Sequence, residues 1–550
     1  MKHMEDKKRA PVRLAVGYLL LTIAFLLFVG ANWCVNQFGQ LPFDQIVFHL
    51  KVPLEGANTD MVGDFFLKCL PPALVLALIC LLLVVHWRHT QGQLTVSLFG
   101  RERTFGVFPF RFLRRHFILL TALLVAVSLV NGAVVLAVPQ YIENQMSRST
   151  IFEENYVDPE TAAITFPQVK RNLIYIFLES METSYTSVEY GGNEPVDIMP
   201  ELTALALNNT SFSNTDKLGG ALEAPGVTWT VAAMTAQTAG VPLKIPFSNN
   251  SYGTNSALFL PGAFTLGDIL EREGYNQMLL IGSDAEFGGR RQLFTQHGNY
   301  DIWDYNTAKL DGKIAQDYHV WWGYEDAKLF EYAKEQLSAL ASSPEPFNFT
   351  MLTVDTHYED GYVCPLCRDD YGDQYANVIA CSSRQVGEFV AWIQQQDFYE
   401  NTTIVLAGDH LSMGNRFFQN YGGYTRTTYN CFINANAWTD ATHNRLFSTM
   451  DLYPTTLAAL GVEIEGDRLG LGTNLFSDRP TLMEEMGVDT FRQELDKTSR
   501  FYNEKLLYDQ EVGQEDSQPP VSSEQEGSES EPESADSSSP GGYGWYFPVS

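Results

Sequence analysis

The sequence predicts an α/β protein whose mostly parallel sheet is flanked by helices and preceded by three transmembrane helices. Three long apolar runs precede residue 140. From about residue 171 onward, short apolar runs alternate with helical stretches, a pattern typical of α/β domains. The 550 residues exceed what one hydrophobic core usually supports, and 45% of them are hydrophobic. The chain therefore has the length for several structural units and the apolar content for a sizeable core.

The apolar runs predict a transmembrane region over residues 1–138, with helices at about 14–33, 66–86 and 117–138. Each run is near the roughly 20 residues that cross a bilayer. A cleaved signal peptide is the alternative for the first run. Its length and the two spans that follow it favour an uncleaved anchor.

Basic residues predict the orientation of these helices. Residues 1–13 carry five lysines or arginines and the second connection carries six arginines, whereas the first connection holds only Lys51. Cytoplasmic loops are enriched in such residues, so the N-terminus and the second connection are expected inside. Three spans then place everything after the third helix on the extracytoplasmic side of a multi-pass protein.

Composition divides the rest of the chain. Residues 139–170 are expected to be a linker, 171–480 the soluble body, and 481–510 a C-terminal helix. Residues 511–550 are rich in Ser, Glu, Pro and Gly and predict a disordered acidic tail. The net charge is -30, and ten acidic but no basic residues follow Lys505, which argues against a nucleic-acid partner.

Several apolar runs of the body end abruptly in ionisable groups. The carboxyl ends of parallel strands meet at one edge of an open α/β sheet, where such folds bind ligands. The sequence therefore predicts that one site gathers the groups that end these runs, which are Glu179, Arg290 and Arg291, Asp355 and His357, and Asp409 and His410. Carboxylates with an imidazole suit a hard or borderline divalent cation such as Mn²⁺, Mg²⁺ or Zn²⁺.

A candidate nucleophile lies between the first two of these runs. In the segment 223–243, Pro225 and Gly226 end the preceding element, and Thr228 or Thr230 is placed to cap a helix of small residues. A hydroxyl at a helix N-terminus is well placed to attack phosphorus, because the exposed N–H groups attract a phosphate. An ordinary threonine cap is the alternative for this stretch alone.

The ordered motifs resemble a known family. NLIYIFLES (172–180), MPELTAL (199–205), TSFSNT (210–215), PGVTWTVAAM (225–234), QTAGVPL (237–243), LTVDTHY (352–358) and AGDHLSM (407–413) follow one another along the body. Together they resemble the lipoteichoic acid synthase and phosphoglycerol transferase group of the alkaline phosphatase and sulfatase superfamily. The likeness covers about 171–476 and is closest to membrane-bound phosphoglycerol transferases.

The resemblance implies roles for individual residues. It makes Glu179, a threonine of PGVTWT, Asp409 and His410 the ligands of one divalent metal, with Mn²⁺ expected first and Mg²⁺ or Zn²⁺ as alternatives. The same threonine is the implied nucleophile. One gap in the motif alignment favours Thr228, and Thr230 is the alternative. His357 then matches a substrate-side histidine that protonates the leaving group, and Arg290 matches an arginine that holds the phosphate.

The implied activity is transfer of glycerophosphate from phosphatidylglycerol, through a phosphothreonine, to an envelope hydroxyl. The acceptor stays open between a polyglycerolphosphate chain, a glycan and a glycolipid. The implied location is a bacterial cell membrane with the catalytic domain outside. Phosphoethanolamine transfer, sulfate-ester hydrolysis and a non-catalytic envelope binding protein are the alternatives, although the C/S-x-P/A-x-R segment of sulfatases is missing where the threonines stand.

Three cysteines belong to the predicted external side. Cys364 and Cys367 have the C-x-x-C spacing, but the second pair that a zinc site of this kind needs is missing. Disulfides persist outside the cell. We therefore expect one disulfide between Cys381 and either Cys367 or Cys364, closing the loop after His357.

Overall fold

Long apolar helices form the N-terminal region of the computed structural model, which describes residues 2–39, 41–51, 60–89, 93–98, 101–106, 110–244, 258–413 and 416–509. The predicted acidic tail, 511–550, lies outside the described residues. Three helices are long and apolar enough to cross a membrane, over Pro11–Phe38, Val62–Val85 and His116–Val135. This confirms the three apolar helices that the sequence predicts. Large apolar side chains such as Leu67, Leu119 and Val130 are 64–75% exposed on them, as a bilayer would require.

These helices pack on one another and are joined by short structured connections. The helices are α1 (Lys2–Phe38), α3 (Asp60–His89) and α4 (Phe110–Val135), and α1 packs against both of the others. The first connection contains a short helix, α2 (Phe43–Lys51). The second connection contains an antiparallel hairpin of β1 (Gln93–Leu98) and β2 (Arg101–Gly106).

The body is built on a six-stranded sheet in the order β6-β5-β7-β4-β8-β9. All neighbours are parallel except β8 and the edge strand β9. This confirms the mostly parallel α/β sheet. The strands are β4 (Asn172–Leu178), β5 (Asn276–Ile281), β6 (Asp301–Trp303), β7 (Phe347–Leu352), β8 (Thr402–Gly408) and β9 (Asn430–Ile433). Two-residue strands pair elsewhere: β3 (Ile164–Thr165) with β10 (Glu463–Ile464), and β11 (Arg468–Leu469) with β12 (Gly472–Thr473).

Helices cover both faces of the sheet. Every residue of β4 is buried: Leu173, Tyr175 and Phe177 enter the core on one face, and Ile174, Ile176 and Leu178 enter the core on the other. The remaining helices are α5 (Val138–Met146), α6 (Ile151–Asn155), α7 (Pro200–Asn208), α8 (Thr230–Ala239), α9 (Leu266–Arg272), α10 (Arg290–Gln296), α11 (Tyr305–Leu310), α12 (Asp326–Leu340), α13 (Gln374–Ile393), α14 (Leu452–Ala459), α15 (Leu482–Met486) and α16 (Val488–Asp496).

The segments that flank the predicted body pack on it. Ile151 and Phe152, in the segment 139–170, are buried in the same core cluster as Tyr502. The Ser149 amide donates to the Thr498 carbonyl oxygen at 3.0 Å. The segment 481–510 holds α15, α16 and a π-helical turn, Tyr502–Leu506, in place of one continuous helix. Both segments therefore contribute side chains to the core that supports the sheet.

Candidate metal centre

The register of the sheet places the first three site residues. Leu178 of β4 pairs with Gly408 of β8, so Glu179 and Asp409 leave the sheet side by side. Glu179, Asp409 and His410 each offer a ligand atom, and these atoms lie within 4.8 Å of one another. The predicted convergence of these three residues at the carboxyl edge is therefore present in the structure.

The turn after β8 lets two adjacent residues face one point. A Cβ on Gly408 would lie 2.1 Å from the Met181 carbonyl oxygen, so only glycine allows these two backbone segments to approach so closely. His410 Nδ1 lies 2.9 Å from the Leu411 carbonyl oxygen and donates to it in one tautomer. Nε2 then carries the lone pair, 3.4 Å from Asp409 Oδ2 and 3.7 Å from Glu179 Oε1.

A bound cation would stabilise the buried carboxylates of this cluster. Asp409 Oδ1 accepts from the amides of Ser180 and His410, at 2.8 and 2.7 Å. The buried Oδ2 has no hydrogen-bond partner among the described residues. Burial and the neighbouring Glu179 raise the pKa of Asp409 to about 7. Two buried carboxylates and an imidazole with one unpartnered oxygen are a donor set that fits a divalent cation.

A threonine at a helix N-terminus completes the cluster. Helix α8 begins at Thr230, which follows the extended cap residue Trp229. Thr230 Oγ1 lies 3.4 Å from both Glu179 Oε2 and His410 Nε2. The hydroxyl is therefore at once at the cluster and at the positive end of a ten-residue helix.

The structure does not bring Thr228, the threonine favoured by the sequence, to the cluster. Thr228 precedes the helix, and its Oγ1 donates to Gln45 Oε1 of α2 at 3.1 Å. The physical reason is the position of the helix start. The sequence placed the helix N-terminus at either threonine, and the backbone becomes helical only at Thr230.

His357 and Arg290 line the same pocket as the cluster. His357 Nδ1 lies 2.8 Å from the Tyr358 carbonyl oxygen, its ring packs 4.7 Å from that of Trp322, and burial lowers its pKa. Arg290 is buried at the start of α10 and donates to two carbonyl oxygens of the preceding turn. Burial lowers the pKa of Arg290 to about 10, so it remains a cation at neutral pH.

The other ionisable groups at the strand ends have different partners. Asp355 Oδ1 accepts from the Asp326 amide at 3.1 Å, and burial and Asp326 raise the pKa of Asp355 to about 10. Arg291 forms an ion pair with Asp304 at 2.7 Å. These contacts hold loops together, so neither side chain joins the cluster.

A pocket of about 300 Å³ lies against the cluster and has lining residues of two kinds. Its polar and charged lining includes Glu179, Thr230, Arg290, His357 and His410. Its apolar lining includes side chains of the body, such as Trp229 and Trp322, and residues of the N-terminal region, which are Cys34 and Phe38 in α1 and Leu41, Ile46, Phe48 and Leu50 in or beside α2. A ligand in this pocket therefore meets both charged groups and hydrocarbon.

Sequence reasoning missed the residues that α2 and α8 contribute. Gln45 and His49 of α2 line the pocket, and burial lowers the pKa of His49. Gln237 Nε2 donates to the carbonyl oxygens of Gly408 and Asp409, at 3.1 and 3.3 Å, and fixes the end of β8. The signal for Gln45 and His49 was their spacing of four in FDQIVFHLK, which puts both on one face of a helix.

A mostly parallel sheet with ionisable side chains gathered at its carboxyl edge is the arrangement in which open α/β folds bind ligands. The sulfatase family model matches residues 171–462, and the chain belongs to the sulfatase family. It is 31% identical over 368 residues to phosphoglycerol transferase I of Salmonella choleraesuis (strain SC-B67), which is 65% of this chain and 46% of that protein. With phosphoglycerol transferase I of Escherichia fergusonii it shares 31% identity over 323 residues, 57% of this chain and 40% of that protein. The chain thus spans less than half the length of these relatives.

Solved structures also align with part of this chain. The lipoteichoic acid synthase LtaP from Listeria monocytogenes is 18% identical, with 58% of this chain and 79% of that chain covered and a TM-score of 0.44. The lipooligosaccharide phosphoethanolamine transferase A (EptA) from Neisseria meningitidis is 11% identical, with 81% and 84% covered and a TM-score of 0.45. The resemblance stated from the motifs is confirmed by the family model and the curated relatives.

Proposed function

We propose that this protein is a membrane-anchored, metal-dependent phosphotransferase that takes phosphoglycerol from phosphatidylglycerol and passes it to an envelope hydroxyl. One observation carries the proposal. The Thr230 hydroxyl stands at a helix N-terminus, 3.4 Å from both Glu179 and His410, in a pocket that is also lined by apolar residues of α1 and α2. The donor head group comes from the names of the curated relatives, which are phosphoglycerol transferases.

The residues present fit the divalent cation that the family implies, and Glu179, Asp409, His410 and Thr230 would hold it. A bound cation would supply Lewis acidity, which lowers the pKa of a hydroxyl and offsets charge on phosphoryl oxygens. We expect Mn²⁺, with Mg²⁺ and Zn²⁺ as alternatives. The unpartnered Asp409 Oδ2 supports this assignment from the protein side.

The protein residues divide the transfer into two displacements. Thr230 Oγ1 gives up its proton to solvent and attacks the lipid phosphorus, the bond from phosphorus to the diacylglycerol oxygen breaks, and His357, as an imidazolium, gives that oxygen a proton from Nε2. An acceptor hydroxyl then attacks the phosphothreonine and passes its proton to His357, the bond from phosphorus to Thr230 Oγ1 breaks, and Oγ1 takes a proton from solvent. Arg290 and the free N–H groups of α8 hold the phosphate during both steps.

The pocket wall supports a lipid donor. Phe48 is 2% exposed and packs against Trp229 with ring centroids 5.3 Å apart, which joins α2 to the start of α8. Tyr358 donates to the Gln37 carbonyl oxygen at 2.7 Å, which joins the His357 loop to the end of α1. The catalytic residues are thereby held where a membrane helix ends, and diacylglycerol can remain in the bilayer while its phosphate reaches Thr230.

The proposal also includes the acceptor and the side of the membrane on which the catalytic domain lies. A polyglycerolphosphate chain, a glycan or a glycolipid each offers the hydroxyl that the second displacement needs. The basic residues of the N-terminus and second connection support a catalytic domain on the outer side of a bacterial cell membrane.

Donor selectivity tests the proposed activity. The purified full chain in detergent is incubated with Mn²⁺ and either phosphatidylglycerol or phosphatidylethanolamine, and diacylglycerol is measured. We expect release from phosphatidylglycerol that requires Mn²⁺ and is lost in Thr230→Ala. Equal or faster release from phosphatidylethanolamine would contradict the assigned donor, and release that needs no divalent cation would contradict the metal centre.

A further inference from the structure

Three cysteine side chains converge beside the loop that follows His357. Cys364 and Cys367 lie in the loop between β7 and α13, and Cys381 lies on α13. Their sulfur atoms are all within 4.8 Å of one another. Cys364 and Cys381 are 2% and 1% exposed, and Cys367 is half-buried. The cluster is separate from Glu179, Asp409 and His410, and no proposed catalytic step uses it.

The expected disulfide is not formed in this structure, where all seven cysteines are free. The Cys364 sulfur is 3.7 Å from that of Cys381 and 3.7 Å from that of Cys367. A disulfide requires about 2.05 Å. A tetrahedral ion with Zn–S bonds of about 2.3 Å places its sulfur ligands about 3.8 Å apart. Cys364 therefore has two equivalent neighbours at the spacing of thiolates around one ion.

Two side-chain donors approach one sulfur atom of this cluster. Arg384 Nη2 and Gln385 Nε2 approach Cys381 Sγ at 3.5 and 3.6 Å. Hydrogen bonds from a cation and an amide stabilise sulfur that carries negative charge, as they do around metal thiolates. Arg384 also donates to the Leu366 carbonyl oxygen at 2.8 Å, between the two loop cysteines. Arg384 therefore contacts both Cys381 and the loop that carries Cys364 and Cys367.

The C-x-x-C turn has the compact form that two ligands of one ion need. The Cys367 amide donates to the Cys364 carbonyl oxygen at 3.0 Å, which closes the turn and turns both sulfur atoms to one side. The third ligand comes from a helix and not from a second C-x-x-C pair. This is why the sequence spacing alone argued against a zinc site.

We infer that Cys364, Cys367 and Cys381 form a second metal site, which takes a thiophilic divalent cation such as Zn²⁺ through three thiolates. Among the described residues no fourth histidine, cysteine or carboxylate joins the group, so water supplies the remaining ligand. Binding displaces the thiol protons, so the affinity falls as the pH falls. The ion joins the loop after His357 to α13 and so stabilises the loop that carries His357.

Metal content tests this site in the full chain. The protein is purified in detergent with a thiol reductant in the Asp409→Asn background, which weakens the candidate metal centre. It is then equilibrated with Zn²⁺, separated from free metal and analysed by elemental mass spectrometry. We expect about one zinc per chain, which Cys381→Ser removes. The matched control is Cys431→Ser, which changes a buried cysteine outside the cluster and should retain the zinc.

A second measurement covers the case in which Cys381→Ser fails to fold. Co²⁺ added to the reduced chain carrying only Asp409→Asn should give sulfur-to-cobalt absorption in the near ultraviolet, and Zn²⁺ should protect the three thiols from alkylation. Zinc content that is the same in Cys381→Ser, or absence of the cobalt absorption, would overturn the inference. Peptide mapping of alkylated membranes that finds Cys381 in a disulfide with Cys364 or Cys367 would overturn it as well.

Discussion

Replacing Gly408 by alanine should disable the candidate metal centre from a position that carries no functional group. A Cβ here would lie 2.1 Å from the Met181 carbonyl oxygen and 3.0 Å from the Tyr429 nitrogen. Because a contact of about 3 Å is the least that the two atoms tolerate, the end of β8 must move by about 1 Å. Asp409 is the next residue, and a misplacement of about 1 Å costs on the order of 10²-fold in rate. We expect a loss of turnover of that order, with overpacking that costs about 1–3 kcal/mol of stability.

Diacylglycerol release and the Mn²⁺ dependence of the melting temperature measure the two effects. Gly422→Ala is the matched control, because a Cβ at Gly422 has no heavy atom within 4 Å. Gly408→Ala should need more Mn²⁺ for the same thermal shift, whereas the control should behave like the unmodified chain. Unchanged turnover and unchanged Mn²⁺ dependence in Gly408→Ala would refute the argument that the end of β8 positions Asp409.

Three further predictions follow from buried polar groups. Thr228→Val removes the hydroxyl that donates to Gln45 and should lower the free energy of unfolding by about 1–2 kcal/mol, whereas turnover should continue. Loss of turnover would show that Thr228 takes part in catalysis. Arg426→Ala removes the cation that pairs with the buried Glu182 carboxylate and should lower the free energy of unfolding by about 3–5 kcal/mol. An unchanged melting temperature would contradict this. Burial raises the pKa of Asp409 from 3.8 to about 7, so metal-free protein should lose stability as pH rises between these values. The stabilisation by Mn²⁺ should therefore be larger at pH 8 than at pH 5. A larger stabilisation at pH 5 would contradict a metal centre that contains Asp409.

The sequence predicted the sheet and its carboxyl edge because both depend on local patterns. Buried parallel strands appear as unbroken apolar runs, as NLIYIFL and TTIVLAG do, and the residue after each run must lie at the sheet edge. Glu179, Asp409 and His410 were found in this way. The three membrane helices were equally visible, because their length and hydropathy are properties of contiguous residues.

The remaining features depend on contacts between distant segments. Whether α8 begins at Thr228 or at Thr230 is a difference of two residues, which composition does not decide. Gln45 lies 183 residues before Thr228, and no periodicity shows that α2 folds over the pocket. The three cysteines likewise meet only because α13 packs beside the loop. These residues required the tertiary structure.

The most direct test of the account is to find the covalent intermediate. The chain carrying His357→Ala, in which both displacements are slowed, is incubated without an acceptor, so that the adduct is retained, with Mn²⁺ and phosphatidylglycerol labelled in the head group, and the labelled peptide is mapped. The account predicts a glycerophosphate adduct on Thr230, with no adduct when Thr230→Ala is added to the same background. An adduct on Thr228 would contradict the assigned nucleophile, and transfer without an adduct on either threonine would contradict the two-step mechanism.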